Sequence, residues 1–353
     1  MPCKKTDPKT LSGALCYDAN MKRPTGLLLL LLIVLALTAC QSDLPQATPK
    51  QIQITRPTTI PIRIESFLPI VAVMINDKGP YNLILDTGSP TMVLRPQIAK
   101  QLALPKGAIH GSEFARSIGG VDTVIFKRIA KLTIGDVVFN DLDAKLIDIP
   151  SDYLGPGIHI DGLLGLRVFS QLLLTIDYPN SQLILTPDQY LGTDSPNVIA
   201  TRLQNAQHLL VDLPVNHKIM TFTLDTGTSM GFFLLDSDAQ KLSFKQGPIT
   251  SGTSNTPHGQ VTIRVGRIHQ TVNLANQQIK QPIVYIRPGQ YPLISQRDMD
   301  PLFADATSLI GGEVLRHFSL TIDQRSQLVS FKRNHTKPIK MKGYNKPIFK
   351  GLD

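Results

Sequence analysis

The stretch "NLILDTGSPTMVL", residues 82–94, sets Asp86-Thr87-Gly88 at the end of an apolar run, where a buried strand should stop. Asp and Gly after a strand are ordinary turn residues, Asp bonding to nearby backbone and Gly tolerating positive φ. One such tripeptide decides little. The chain repeats it at residues 221–234, "TFTLDTGTSMGFFL", where Asp225-Thr226-Gly227 and a hydroxyl residue again interrupt two apolar runs. Two accidents with matching flanks are improbable, and the second copy is the reason to read the chain as a duplication.

The repeat extends outward on both sides. Upstream lie the hairpin-like patterns "IVAVMINDKGPYNLIL" and "LLVDLPVNHKIMTFTL", each with a polar turn between apolar strands. Downstream, "RPQIAKQLAL" matches "LDSDAQKLSF" and predicts a short helix after each loop. Farther on, "LLGLRVFSQLLLTIDYPNSQLIL", residues 163–185, aligns with "LIGGEVLRHFSLTIDQRSQLVSF", residues 309–331. Both read apolar-apolar-Gly, a short helical stretch, Leu-Thr-Ile-Asp, a tight turn and Ser-Gln-Leu. Matching the Ser-Gln-Leu triplets makes the second turn one residue shorter.

Paired Asp-Thr-Gly-Ser/Thr loops, each followed by an apolar-apolar-Gly segment, resemble the pepsin and retropepsin superfamily of aspartic proteases over roughly residues 60–333. The resemblance implies an all-β, two-lobed acid-protease fold built from two similar retropepsin-like β-barrel units. It implies Asp86 and Asp225 as the catalytic pair, Thr87 and Thr226 hydrogen-bonded across the lobe interface, and Gly165 and Gly311 in segments threading beneath the two loops. Tandem lobes are pepsin-like, while the short lobes and the Leu-Thr-Ile-Asp ending look more like bacterial retropepsin-like domains.

The chemistry of peptide hydrolysis explains why two copies are needed. A carboxylate must take a proton from water while a carboxylic acid supports the carbonyl oxygen, so base and acid must sit side by side. Two adjacent carboxyl groups share one proton rather than ionise together, and their titration belongs to the pair. Gly88 and Gly227 are expected to let the loops turn tightly and bring N–H groups to the carboxylates. Hydroxyls of Ser89 and Thr228 are expected to donate to the outer carboxylate oxygens, lowering the pair's pKa and giving an acidic optimum. A candidate flap is "ARSIGGVDTVIFK", with Ile118, Gly119 and Gly120 at its tip and a Gly119-Gly120 turn. It has no tyrosine, unlike the flap of most pepsins, Pro90 replaces the small polar residue usual after the loop, and the chain has no Trp.

Composition bounds the remaining choices. The chain has 353 residues, 42% hydrophobic and 18% charged, enough for one or two cores. Residues 1–39 carry five basic against two acidic side chains and residues 332–353 seven against one, so with a net charge of +9 the body between is formally neutral. That distribution argues against a nucleic-acid partner. No His-Glu-x-x-His pair, phosphate loop or Gly-x-Ser-x-Gly elbow is present, so no metal and no cofactor are expected.

Met21-Lys22-Arg23, the apolar run Leu27–Thr38 and Leu37-Thr38-Ala39-Cys40 read as a signal ending in a lipobox, which implies acylation of Cys40. An uncleaved signal anchor is the other reading, and residues 1–20 read as a mis-assigned upstream start. Cys3, Cys16 and Cys40 are the only cysteines, so a chain beginning at Cys40 has none to spare for a disulfide. The expected order is an upstream segment and signal (1–39), a lipidated tether (40–59), two lobes (60–187 and 198–332) and a basic tail (333–353). The expected protein is monomeric, held by lipid to the bacterial cell envelope, at the outer membrane and facing the periplasm, and takes a peptide or protein substrate. The alternatives are a non-catalytic peptide-binding or scaffold lipoprotein of this fold, and pairing of each lobe with its twin in a second molecule.

Overall fold

Runs of β-branched and apolar residues broken by short polar turns make this chain strand after strand. The computed structural model describes residues 48–107, 113–117, 120–149, 154, 157–204, 208–256, 259–286 and 307–333. The signal, Cys40 and the tail beyond Arg333 lie outside them.

In the first half, strands Leu68–Ile75 and Lys78–Asp86 form a hairpin whose turn residues, Asn76 and Asp77, have φ of 49° and 63°. Positive φ at both central positions matches the twist of the flanking strands. The chain then runs through Met92–Leu94, the helix Pro96–Gln101, and the antiparallel strands Gly120–Ile134 and Val137–Leu146. Pro96 suits the first helical turn, where its missing N–H costs nothing, and Ile98 and Ala99 turn into the core. Gly162–Gly165 slots between Lys78–Asp86, to which it is parallel, and Met92–Leu94, to which it is antiparallel. Val137–Leu146 also pairs with Met92–Leu94, and Gly120–Ile134 with Leu68–Ile75, so six strands close into a barrel. Leu83, Leu132, Phe139 and Leu164 fill it.

The second half repeats this plan. His208–Val215 and Lys218–Leu224 form the hairpin, Phe232–Leu234 and the short helix Asp236–Ala239 follow the loop, and Ser308–Ile310 takes the position of Gly162–Gly165. The two long strands of the first half are each broken here, into Gly259–Ile268 with Thr271–Leu274, and Gln277–Lys280 with Ile283–Ile286.

One six-stranded antiparallel sheet joins the halves, in the order Thr58–Pro61, Gln182–Thr186, Leu173–Asp177, Ser319–Asp323, Leu328–Lys332, Val198–Gln204. At its centre Thr175 faces its own counterpart Thr321, with hydroxyls 2.8 Å apart. An internal twofold therefore runs between them. One apolar cluster continues from both barrels through Leu174, Ile176, Leu320 and Ile322, so the halves share a core.

Two sequence expectations change. The turns after the two Leu-Thr-Ile-Asp strands have the same length, since Asp177 pairs with Gln182 and Asp323 with Leu328. The Ser-Gln-Leu match was one residue out of register: Leu183 corresponds to Val329, because each faces the Ile of its own strand. The segment read as a tether, 40–59, is folded over its described part: Gln51–Gln53 pairs with Val137–Leu146, and Thr58 and Thr59 begin the strand Thr58–Pro61 at the edge of the central sheet. Its Gln, Pro and Thr content hid a period-2 alternation, in which Ile52 and Ile54 pack on the core and Ile60 is 5% exposed. Ile52→Ala is therefore expected to lower unfolding stability by about 1–2 kcal/mol in urea titration; a solvated tether would show no change.

Candidate active site

Each barrel presents one Asp at the end of a strand, and the closure of the two halves brings both to the twofold. Thr87 N–H donates to Thr226 Oγ1 (3.0 Å) while Thr226 N–H donates to Thr87 Oγ1 (3.0 Å). Each hydroxyl passes its own proton to the carbonyl just before the opposite Asp, Thr87 to Leu224 O (2.8 Å) and Thr226 to Leu85 O (2.5 Å). Both threonines are buried. Four buried bonds of about 1 kcal/mol each hold the loops in mutual register, and breaking any one would leave a buried group unpaired.

The carboxyl groups of Asp86 and Asp225 meet at the twofold, Asp225 lying against Gly88 and Asp86 against Gly227. Asp86 is 9% exposed and Asp225 partly exposed, so the pair is open to solvent on one side and enclosed on the others. Gly88 N–H (2.9 Å) and Ser89 N–H (3.1 Å) donate to Asp86 Oδ1. Gly227 N–H (2.9 Å) and Thr228 N–H do the same for Asp225. Burial raises both carboxyl groups above the usual carboxylate range, Asp225 the more because the charge of Asp86 adds to it, and the N–H bonds oppose the rise.

The glycines bring their N–H groups to the carboxylates as expected, but the need for glycine itself has a different cause. Neither Gly88 nor Gly227 adopts a left-handed φ. A Cβ on Gly88 would lie 2.6 Å from Asp225 Cγ, and one on Gly227 would collide with Asp86 Cγ. Each glycine makes room for the carboxylate of the opposite half. Beneath the loops, Gly165 pairs with Asp86 in parallel register, and a Cβ there would strike the Thr91 backbone; at Gly311 it would strike Met230 O and Thr228 Cγ2. Leu166 N–H holds Ser89 O and Gly312 N–H holds Thr228 O, each at 2.8 Å, so the threading segments anchor both loops.

The expected hydroxyl donors are corrected. Ser89 Oγ donates to Thr91 O (2.9 Å) rather than to Asp86, and Thr228 turns its methyl toward Gly311. Donation from these two positions comes from backbone N–H groups, and the net direction of the pair's pKa is upward. At the candidate flap, Ser117 pairs with Gly120, which places Gly120 in a strand; Ile118 and Gly119 lie outside the described residues.

Sequence reasoning missed two residues at the base of the site. Gln324 Nε2 donates to Leu166 O (2.9 Å), tying the end of the second half under the loop of the first. Its counterpart Tyr178 is 4% exposed, and burial together with the charges of Asp225 and Asp86 pushes its phenol upward. The equal turn lengths make these residues equivalent, a relation that the Ser-Gln-Leu alignment had obscured. Among the described residues, no three His, Cys, Asp or Glu side chains converge as metal ligands.

A carboxyl group raised on folding keeps its proton after the unfolded chain has lost its own near pH 3.8, so stability falls as pH rises from there through the folded pKa. Asp225→Asn removes that penalty. The variant is expected to melt higher than the wild type at pH 7, with the difference vanishing below pH 3.8, where both states are protonated; scanning calorimetry across pH would measure it.

Residues 71–168, which contain the first loop and Gly165, match the family model for aspartyl proteases. No curated protein matches the chain. Among solved structures, a retropepsin-like aspartic protease from Rickettsia conorii is similar at 19% identity and a TM-score of 0.27, covering 38% of this chain and 90% of its own. Basic 7S globulin from soybean is similar at 11% identity and a TM-score of 0.41, covering 79% of this chain and 95% of its own. The aspartyl-protease match thus falls on the first loop, and the second loop is built as its twin in this structure.

Proposed function

We propose that the protein is an aspartic endopeptidase in which Asp86 and Asp225 act as one proton-sharing pair. The observation that carries this reading is the meeting of the two carboxyl groups at the twofold, each packed against the glycine of the opposite loop and held by N–H donors from its own. In the singly protonated pair, the ionised carboxylate takes a proton from water as the water oxygen attacks the peptide carbonyl carbon. The protonated carboxyl gives its proton to the carbonyl oxygen. The gem-diol then collapses as one carboxyl gives its proton to the amine nitrogen, the C–N bond breaks, and a diol hydroxyl gives its proton to the other carboxylate as the carboxyl product forms, which returns the pair to one proton.

Activity belongs to the singly protonated state, so the rate rises with pH through the pair's lower pKa and falls through its higher one. Because burial raises both, the optimum is expected at weakly rather than strongly acidic pH. Protein lacking residues 1–40 should cleave a denatured protein with a bell-shaped pH profile, and Asp86→Asn and Asp225→Asn should each abolish cleavage. Wild type and variants behaving alike would sink the reading and favour a binding protein of this fold.

The lipobox-like Leu37-Thr38-Ala39-Cys40 supports the further proposal that the enzyme is tethered to the cell envelope by acylated Cys40. Labelled fatty acid should be incorporated by the full chain and not by Cys40→Ser; equal labelling would remove the tether.

A further inference from the structure

The two active-site loops are not the same length. Both are anchored alike at one point, where Leu166 N–H holds Ser89 O and Gly312 N–H holds Thr228 O. Both leave into equivalent strands, because Leu163 pairs with Val93 and its counterpart Leu309 pairs with Phe233. Between these fixed points the first half has three residues, Pro90, Thr91 and Met92, and the second has four, Ser229, Met230, Gly231 and Phe232. The second loop therefore carries an extra residue and also lacks the proline that stiffens the first. Each unrestrained residue adds about 1–2 kcal/mol of backbone entropy to be lost on ordering. Without a compensating contact, the Asp225 side of the pair would be the looser one.

That contact is present and comes from outside the loop. Glu313, the residue after Gly312, is 2% exposed. Its carboxyl faces the N–H of Gly231 and, at Oε2, accepts the hydroxyl of Tyr285 at 3.0 Å. Gly231 is held on its other side as well, its carbonyl accepting Gly311 N–H at 2.8 Å. Tyr285 lies on Ile283–Ile286, the strand parallel to Phe232–Leu234, into which the loop runs. In the first half the position of Glu313 is taken by Arg167, whose backbone N–H holds Pro90 O at 3.2 Å.

We propose that Glu313 is a positioning residue for catalysis: with Tyr285 it fastens the extra residue of the second loop and so fixes the approach of Asp225 to Asp86. The proposal rests on the protease reading, but part of its test does not. In Glu313→Leu, Gly231 N–H and the Tyr285 hydroxyl lose the carboxylate. The kcat per titrated active site is expected to fall about 10- to 100-fold, the range for a small misplacement of a reacting group. KM should change little, because Glu313 is buried and the strand Phe232–Leu234 that follows the loop stays in its sheet. Glu313→Gln keeps an acceptor oxygen and should recover most of the rate, while Tyr285→Phe, which leaves the Gly231 contact, should lose the less.

Amide exchange at Gly231 should rise in Glu313→Leu and stay near wild type in Glu313→Gln, whether or not the wild type cleaves peptides. An inactive wild type with this exchange pattern would refute the protease reading and leave Glu313 as a loop fastener without a catalytic role. Unchanged exchange and unchanged kcat in Glu313→Leu, or equal damage in Glu313→Gln and Glu313→Leu, would overturn the proposal. Should Glu313→Leu fail to fold, Glu313→Gln and Tyr285→Phe still decide it: a Tyr285→Phe variant more impaired than one that loses the carboxylate charge would refute it.

Discussion

The interlock of Thr87 and Thr226 is the constraint on which the rest of this structure depends. Each threonine spends both its backbone N–H and its hydroxyl on the other half, so neither loop completes its hydrogen bonds alone. The six-stranded sheet below supplies the same dependence at larger scale, since its two central strands pair equivalent residues from the two halves. A chain fastened on one axis at two levels has little freedom to tilt one barrel against the other. That rigidity lets two carboxyl groups that repel when both charged be held close enough to share a proton.

The pair illustrates how position, rather than residue type, sets electrostatics. Ser89 and Thr228 carry the hydroxyls that could lower the carboxyl pKa values, yet the Ser89 hydroxyl is spent on Thr91 O and donation falls to the backbone. With four N–H groups against burial and the neighbouring carboxyl, burial prevails. Tyr178, buried below, adds no charge of its own, because the same surroundings hold its proton firmly.

Much of this was legible in the sequence because duplication supplies its own control. Asp86 and Asp225, Thr87 and Thr226, and Gly165 and Gly311 were readable from matched flanks, and so were the hairpin and helix around each loop. The missed features depend on where a residue lies in three dimensions. Glu313 reads as an ordinary acidic residue in the first turn of a short helix, and only its burial against Gly231 and Tyr285 gives it weight. Gln324 and Tyr178 become equivalents only once strand register is known. Residues 51–59 were misread because composition outweighed a short alternation that becomes decisive when a sheet edge is waiting for it.

Gly88 and Gly227 carry a consequence for how the two halves can diverge. The space that each leaves is filled by a carboxylate encoded well over a hundred residues away. A side chain arising at either site would damage the opposite half rather than its own. Loops, strand breaks and turn residues can drift separately in the two copies, as the split strands of the second half show, whereas each motif is guarded by its twin. After a duplication, this reciprocal steric veto keeps the two centres alike while the rest of the chain becomes asymmetric.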